Sequence, residues 1–194
     1  MGKQNEGDRR RAERALALLA DRESPDRDVA YRALQEIFAM ANEPVDWAYE
    51  VWDALLEDLE AREGHKRAFA AQMLTRLAIS DADDRMVEDF QKVAAVMRDE
   101  KTVTARHTLQ SLWRIGLAGA AKRSMVVDAL EERFHECAEE KGGRLVRTDV
   151  VTALARLAKA TDDDSIEHRV DALIESEPDE KQRKKQAAAW RKAF

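Results

Sequence analysis

Asp26-Arg27-Asp28-Val29-Ala30-Tyr31-Arg32-Ala33-Leu34-Gln35-Glu36-Ile37 is the stretch on which the reading of this chain turns. Ala30, Leu34 and Ile37 fall at steps of four and three, so a helix stacks them on one side. The same small-x3-Leu-x2-apolar pattern returns at Ala70, Leu74 and Leu77, at Ala105, Leu109 and Leu112, and at Val150, Leu154 and Leu157. The central leucines are 40, 35 and 45 residues apart, and seven positions before them stand Arg27, Arg67, Thr102 and Arg147. Arg183 and Trp190 repeat that spacing near the C-terminus as a degenerate fifth copy. Self-similarity at such a period predicts stacked helical units that cannot bury their apolar faces alone.

Between these segments lie further helical stripes. Val45, Ala48, Trp52, Leu55 and Leu59 make one, and Met86, Phe90, Val93 and Met97 a second. Val127, Leu130, Phe134 and Cys137 make a third, and Ile166, Val170 and Leu173 a fourth. No stretch of strict alternation competes with them, so strands are not expected. Pro25, Pro44 and Pro178 fit helix first turns. Asp81 to Asp84 and Asp162 to Asp164 precede apolar runs, where carboxylates cap orphan N–H groups. Gly64, Gly116, Gly119, Gly142 and Gly143 are expected at C-terminal caps and turns. The count comes to about ten helices.

With 194 residues, 44% of them apolar, the chain reads as one folding unit. The expected division is a disordered tail over residues 1–7 and a single domain over residues 8–194. The charged fraction is 37%, against the usual quarter or so. No apolar run reaches membrane-span length and residues 1–7 carry no apolar leader segment, so a cytoplasmic protein is expected. The one cysteine, Cys137, excludes an intrachain disulfide and any multi-cysteine metal site.

The second-helix signature, with Asp26-x2-Val29-Ala30-x-Arg32-Ala33-Leu34 as its best copy, resembles the HEAT-repeat pattern of the armadillo-like superfamily. The resemblance spans residues 8–194 and is also similar to small stand-alone bacterial HEAT-like proteins, which carry no assigned activity. It implies an all-α, right-handed α-α superhelix of about five helical hairpins. First helices would line the convex side and second helices the concave side. Thr102 in place of arginine in the third unit, and the missing leucine in the fifth, depart from the pattern.

Charge segregates along the same period. Residues 43–63 sum to −7, 81–100 to −4, 121–141 to −2 and 161–177 to −6. Residues 64–79, 101–116 and 144–160 each sum to +3, and 178–194 to +4, whereas 26–41 sum to −1. On the HEAT-like plan the first set faces water and the second lines a groove. The candidate groove residues are Arg32, Gln35, Gln72, Arg76, Arg106, His107, Gln110, Arg114, Arg156 and Lys159, on the polar faces of their helices. A concave wall of one sign attracts partners of the other. The competing reading of those charges is a simple solvated face.

Fingerprints of catalysis are absent. There is no Gly-x-Ser-x-Gly, no Gly-rich phosphate loop and no His-Glu-x-x-His. Asp81-Ala82-Asp83-Asp84 lacks the glycine of a calcium loop, and His135 and Cys137 point to different faces of one helix. No catalytic residue, metal ligand or cofactor is therefore expected. The first expectation is a non-enzymatic scaffold or adaptor that binds a protein, with acidic partners favoured by the groove. The alternative is nucleic-acid binding through the groove and the basic run Lys181, Arg183, Lys184, Lys185, Arg191 and Lys192. Alkylpurine DNA glycosylases are built from HEAT-like repeats, and Trp113 between Arg106 and Arg114 is the only local echo of their aromatic, basic groove. No acidic residue follows within that helix, so no catalytic role carries over. The same C-terminal run also suits an amphipathic cap, with Ala187, Trp190 and Phe194 turned inward.

Overall fold

The computed structural model describes the backbone of residues 2–193 and the side chains of residues 6, 7 and 9–192. Most of the tail expected at residues 1–7, and Phe194, lie outside the described side chains. Among the described residues the fold is all-helical, with ten α-helices: α1 Gly2–Asp21, α2 Arg27–Met40, α3 Ala48–Asp58, α4 Gly64–Leu77, α5 Arg85–Ala95, α6 Thr102–Leu112, α7 Ala120–Glu136, α8 Gly143–Thr161, α9 Asp164–Ser176 and α10 Glu180–Ala193. Short 3-10 turns at Ala78–Ser80, Val96–Arg98, Trp113–Ala118 and Cys137–Glu139 extend α4, α5, α6 and α7.

Local sequence explains most boundaries. The Asp26 carboxylate caps α2 by accepting from the N–H groups of Asp28 and Val29 at 2.9 and 3.3 Å. Asp81 accepts from the N–H groups of Arg85 and Met86 at 2.9 and 2.8 Å, and Asp163 from Ser165 N–H at 3.2 Å. The aspartate runs thus serve helix N-termini. The prolines do not enter first turns: Pro25 precedes the Asp26 cap, and Pro44 and Pro178 lie in the links before α3 and α10. Nor does Gly64 end a helix. It is the buried first residue of α4, where a Cβ would come within 2.7 Å of Thr104 Oγ1. That closeness lets Thr104 donate to the Gly64 carbonyl at 3.0 Å and draws α6 onto α4.

The helices pack in a regular order. α4 lies against α6, α6 against α8 and α8 against α10, while α3 packs on α4, α7 on α8 and α9 on α8. Leu74, Leu109 and Leu154 are fully buried in this seam, as are Leu77, Leu112 and Leu157. Leu34 departs from the set. It is half-buried, and α2 is anchored instead by Ala33 and Ile37. The four acidic-helix stripes are buried as read, apart from half-buried Val45. Trp47 and Trp52 are enclosed, and Trp52 donates its indole N–H to Asp89 at 3.0 Å. Cys137 is wholly buried, and burial pushes its thiol pKa up, as for an inert core sulfur.

Of the arginines seven positions before the leucines, Arg27 is exposed, whereas Arg67 and Arg147 have a definite use. Arg67 grips Asp99 through Nε and Nη2 at 2.6 and 2.9 Å, and its Nη1 donates to the carbonyls of Ala61 and Arg62. Asp99 in turn accepts from Lys101 N–H just before α6. Arg147 repeats the arrangement two units on: it donates to the Phe134 carbonyl at 3.0 Å and to Glu177 at 2.8 Å, before α10. Each clasp ties the start of one helix, and the end of the helix before it, to the start of the helix after next. Thr102 has no guanidinium to offer, and there the link from α6 to α8 runs through Arg106 and Asp149 at 2.5 Å.

Desolvation acts to raise the Asp99 pKa, but the Arg67 pairing, the Lys101 N–H and the charges of both residues together outweigh it and hold this carboxyl below its ordinary range. A carboxyl depressed in the fold contributes stability above its ordinary pKa of about 4, and loses it as pH falls below. Asp99→Asn is therefore expected to cost about 3 kcal/mol at neutral pH, since it strands a largely buried arginine. Urea unfolding from pH 7 downward checks this. The gap between variant and wild type should narrow on acidification below pH of about 4.

Candidate anionic-ligand groove

α2 and α4 have at most slight backbone contact, unlike α4 and α6. The space between them is bridged by side chains and leaves a groove of about 1100 Å³ bounded by α2, α4, the start of α6 and the end of α1. Its floor is aromatic. Phe38 and Phe69 stack with centroids 5.6 Å apart and planes inclined by 17°. Arg22 lies over the Phe69 ring at 3.8 Å, and Arg76 over the Phe38 ring at 3.9 Å. The order Arg22–Phe69–Phe38–Arg76 thus places a cation at each end of two apolar rings, each contact worth about 0.5–2 kcal/mol by degree of desolvation.

Two apolar side chains on this groove face water. Tyr31 on α2 is 63% exposed and Val103 on α6 is 68% exposed. Lys101, His65 and His107 add basic groups to the rim, and Glu23 and Glu63 are its carboxylates. Glu23 is engaged with Arg22 at 2.5 Å. Gln35 and Gln72 line the wall, the latter held by its side-chain bond to the Ala68 carbonyl at 3.1 Å.

The ten residues proposed from sequence divide into groups. Gln35, Gln72, Arg76 and His107 line the large groove. Arg76 and Arg114 line a second cavity of about 180 Å³ with Asn42 and Trp113. Arg106 and Gln110 are committed to Asp149 at 2.5 and 3.1 Å, and Arg156 donates to the Gln110 carbonyl at 3.3 Å, so these three join α6 to α8. Arg32 is exposed, donates to the Asp28 carbonyl and does not line the groove. Lys159 lies beside Trp190 and the acids Asp162, Asp164 and Glu167 around a separate small cavity. Phe38, Phe69, Arg22, Tyr31 and Val103 were not in the sequence set. Tyr31 and Val103 carried a signal, being apolar residues off their helices' buried stripes.

Arg76 and Arg114 differ in kind from the other enclosed arginines. Arg67, Arg133 and Arg147 each hold a carboxylate. Among the described residues Arg76 pairs with no acid; its Nη1 donates to the Gln72 carbonyl at 2.8 Å and its Nε is buried without an acceptor. Burial, with the nearby Arg114 charge, pushes the Arg76 pKa down to about 9. Burial and Arg156 lower that of Arg114, which stacks on Trp113 at 4.7 Å. Both stay charged at neutral pH. No three His, Cys, Asp or Glu among the described residues form a metal-holding group. No helix of the described residues is long and apolar enough to cross a membrane. No protein-family model and no curated protein matches the chain.

The desolvation cost of an unpaired guanidinium, several kcal/mol, exceeds the roughly 1–2 kcal/mol of its ring contact. Arg76→Met keeps the packing over Phe38 and removes the charge. It is expected to leave thermal stability unchanged or to raise it by about 1 kcal/mol at pH 7. A cation depressed in the fold carries its full penalty below its folded pKa and sheds it as pH rises past it. The margin of the variant over wild type should accordingly shrink above about pH 9, measured by denaturation across that range.

Proposed function

We propose that the chain is a HEAT-like α-solenoid of five helical pairs, α1/α2 through α9/α10, acting as a non-enzymatic binding scaffold. The side-by-side packing of α4, α6, α8 and α10, with the acidic α3, α5, α7 and α9 as their partners, supports this plan. The even-numbered helices would form the inner wall, and the groove between α2, α4 and α6 its binding surface.

The occupant we propose is a protein segment carrying apolar side chains beside carboxylates. The observation that carries this is the pairing of water-exposed Tyr31 and Val103 with an aromatic floor flanked by Arg22, Arg76 and Lys101. An apolar anchor would displace water from the floor, and acidic groups would meet the basic rim.

Selection of random displayed peptides on the immobilised protein tests the reading. Sequences enriched in Asp or Glu together with aromatic or aliphatic residues are expected. Tyr31→Glu with Val103→Glu should weaken the selected peptides by at least about tenfold, while both sites, being exposed, leave stability within about 0.5 kcal/mol. Enrichment of basic peptides, or tight salt-sensitive binding of DNA in their place, would overturn it.

A further inference from the structure

The second cavity supports an assignment of its own, whatever fills the larger groove. Arg76 and Arg114 enter one space of about 180 Å³ from α4 and from the turn after α6, with Asn42 at its mouth and Trp113 as a wall. At about 30 Å³ per water, that is room for a tetrahedral oxyanion with several waters. Neither guanidinium has a carboxylate partner among the described residues, and the charges that act on them are those of further arginines. Arg114 makes no hydrogen bond to any described residue, so its N–H fork is uncommitted; Arg76 spends one donor on the Gln72 carbonyl.

Among the described residues the most deeply enclosed arginines are neutralised by carboxylates. Arg133 meets Glu140 at 2.6 Å and Arg67 meets Asp99 at 2.6 Å. Two adjacent, partly desolvated cations left unpaired are a standing electrostatic cost, and the group that would relieve it is a multiply charged anion. Arginine forks match the oxygen edges of such anions with paired N–H donors, and partial burial of the guanidinium groups strengthens the attraction.

We infer that the Arg76–Arg114 cavity is an oxyanion site that takes a phosphate group, free or as a monoester. Arg114 supplies the open fork from its stack on Trp113, and Arg76 supplies the second charge from its stack on Phe38. Arg156 adds positive potential behind Arg114. Ala41, Ile79 and Leu117 supply apolar wall beside the two guanidinium groups.

Thermal denaturation of the whole chain with added ligand tests the inference, with potassium chloride matching ionic strength. Inorganic phosphate at ten times its dissociation constant is expected to raise Tm by about 3–6 °C. Acetate should give a much smaller rise. Phosphate also stabilises proteins generally by exclusion from their surfaces, so the deciding comparison is with variants. Arg76→Met with Arg114→Met should abolish the specific rise, and Arg114→Gln alone should weaken binding by about tenfold or more. A phosphoserine peptide and its unphosphorylated twin separate the two sources. A larger effect of the phosphorylated form places the phosphate on a protein partner, and an effect of inorganic phosphate alone places a free anion in the cavity. No rise with either probe, or an equal rise in the double variant, overturns the site. Loss of peptide binding through Tyr31 and Val103 bears on the groove and leaves this outcome unchanged.

Discussion

Every helix here has one apolar stripe and too little surface to bury it alone, and that shortage governs the rest of the structure. Leu74, Leu109 and Leu154 satisfy it by meeting in one seam, where α4, α6, α8 and α10 succeed one another at a spacing that excludes water. Small residues set that spacing. Gly64 permits the approach of α6 to α4, and Gly116, with Leu157 pressed where a Cβ would sit, permits that of α8 to the turn after α6. The arginine clasps to Asp99 and Glu177 add direction to a seam that apolar contact alone would leave free to slide. Hydrogen bonds to fixed carbonyls and carboxylates choose one register.

Where the seam runs out, the groove begins. α2 carries the leucine signature in its most complete form, yet its leucine is the one that opens to the surface. The cause lies in what α2 lacks: its backbone contact with α4 is at most slight, and two phenylalanines span the interval that backbone contact fills elsewhere. Aromatic rings are wide enough to bridge such a gap and leave their faces available, which is why the arginines settle on them.

Most of the architecture was legible in the chain because helical periodicity is a local property. Stripes such as Met86–Phe90–Val93–Met97 are buried as their spacing implies, and the aspartates before α5 and α9 cap as their positions imply. The binding surface was legible only in part, because membership of a polar face does not say what lies opposite. Arg76 and Arg156 occupy the same register position, two residues after Leu74 and Leu154. An aromatic ring lies under the first, and the second reaches across to the Gln110 carbonyl of α6. Nothing within either helix distinguishes them. The Gly64 position was misjudged for a similar reason: a glycine needed for contact with a distant helix looks, in the chain, like one needed for a turn.

The bridging of α2 to α4 by side chains also bears on how the molecule comes apart. The pair α1 and α2 shares its main backbone interface with itself, and reaches the body through core residues such as Ile37 and Ala41 and through Phe38, Phe69 and the arginines that cover them. Cooperative units in a protein separate where the fewest buried contacts cross. The N-terminal pair is therefore the segment whose detachment leaves the remaining fold most nearly intact, and amide protons of α2 should trade with solvent sooner than those of α4 or α8.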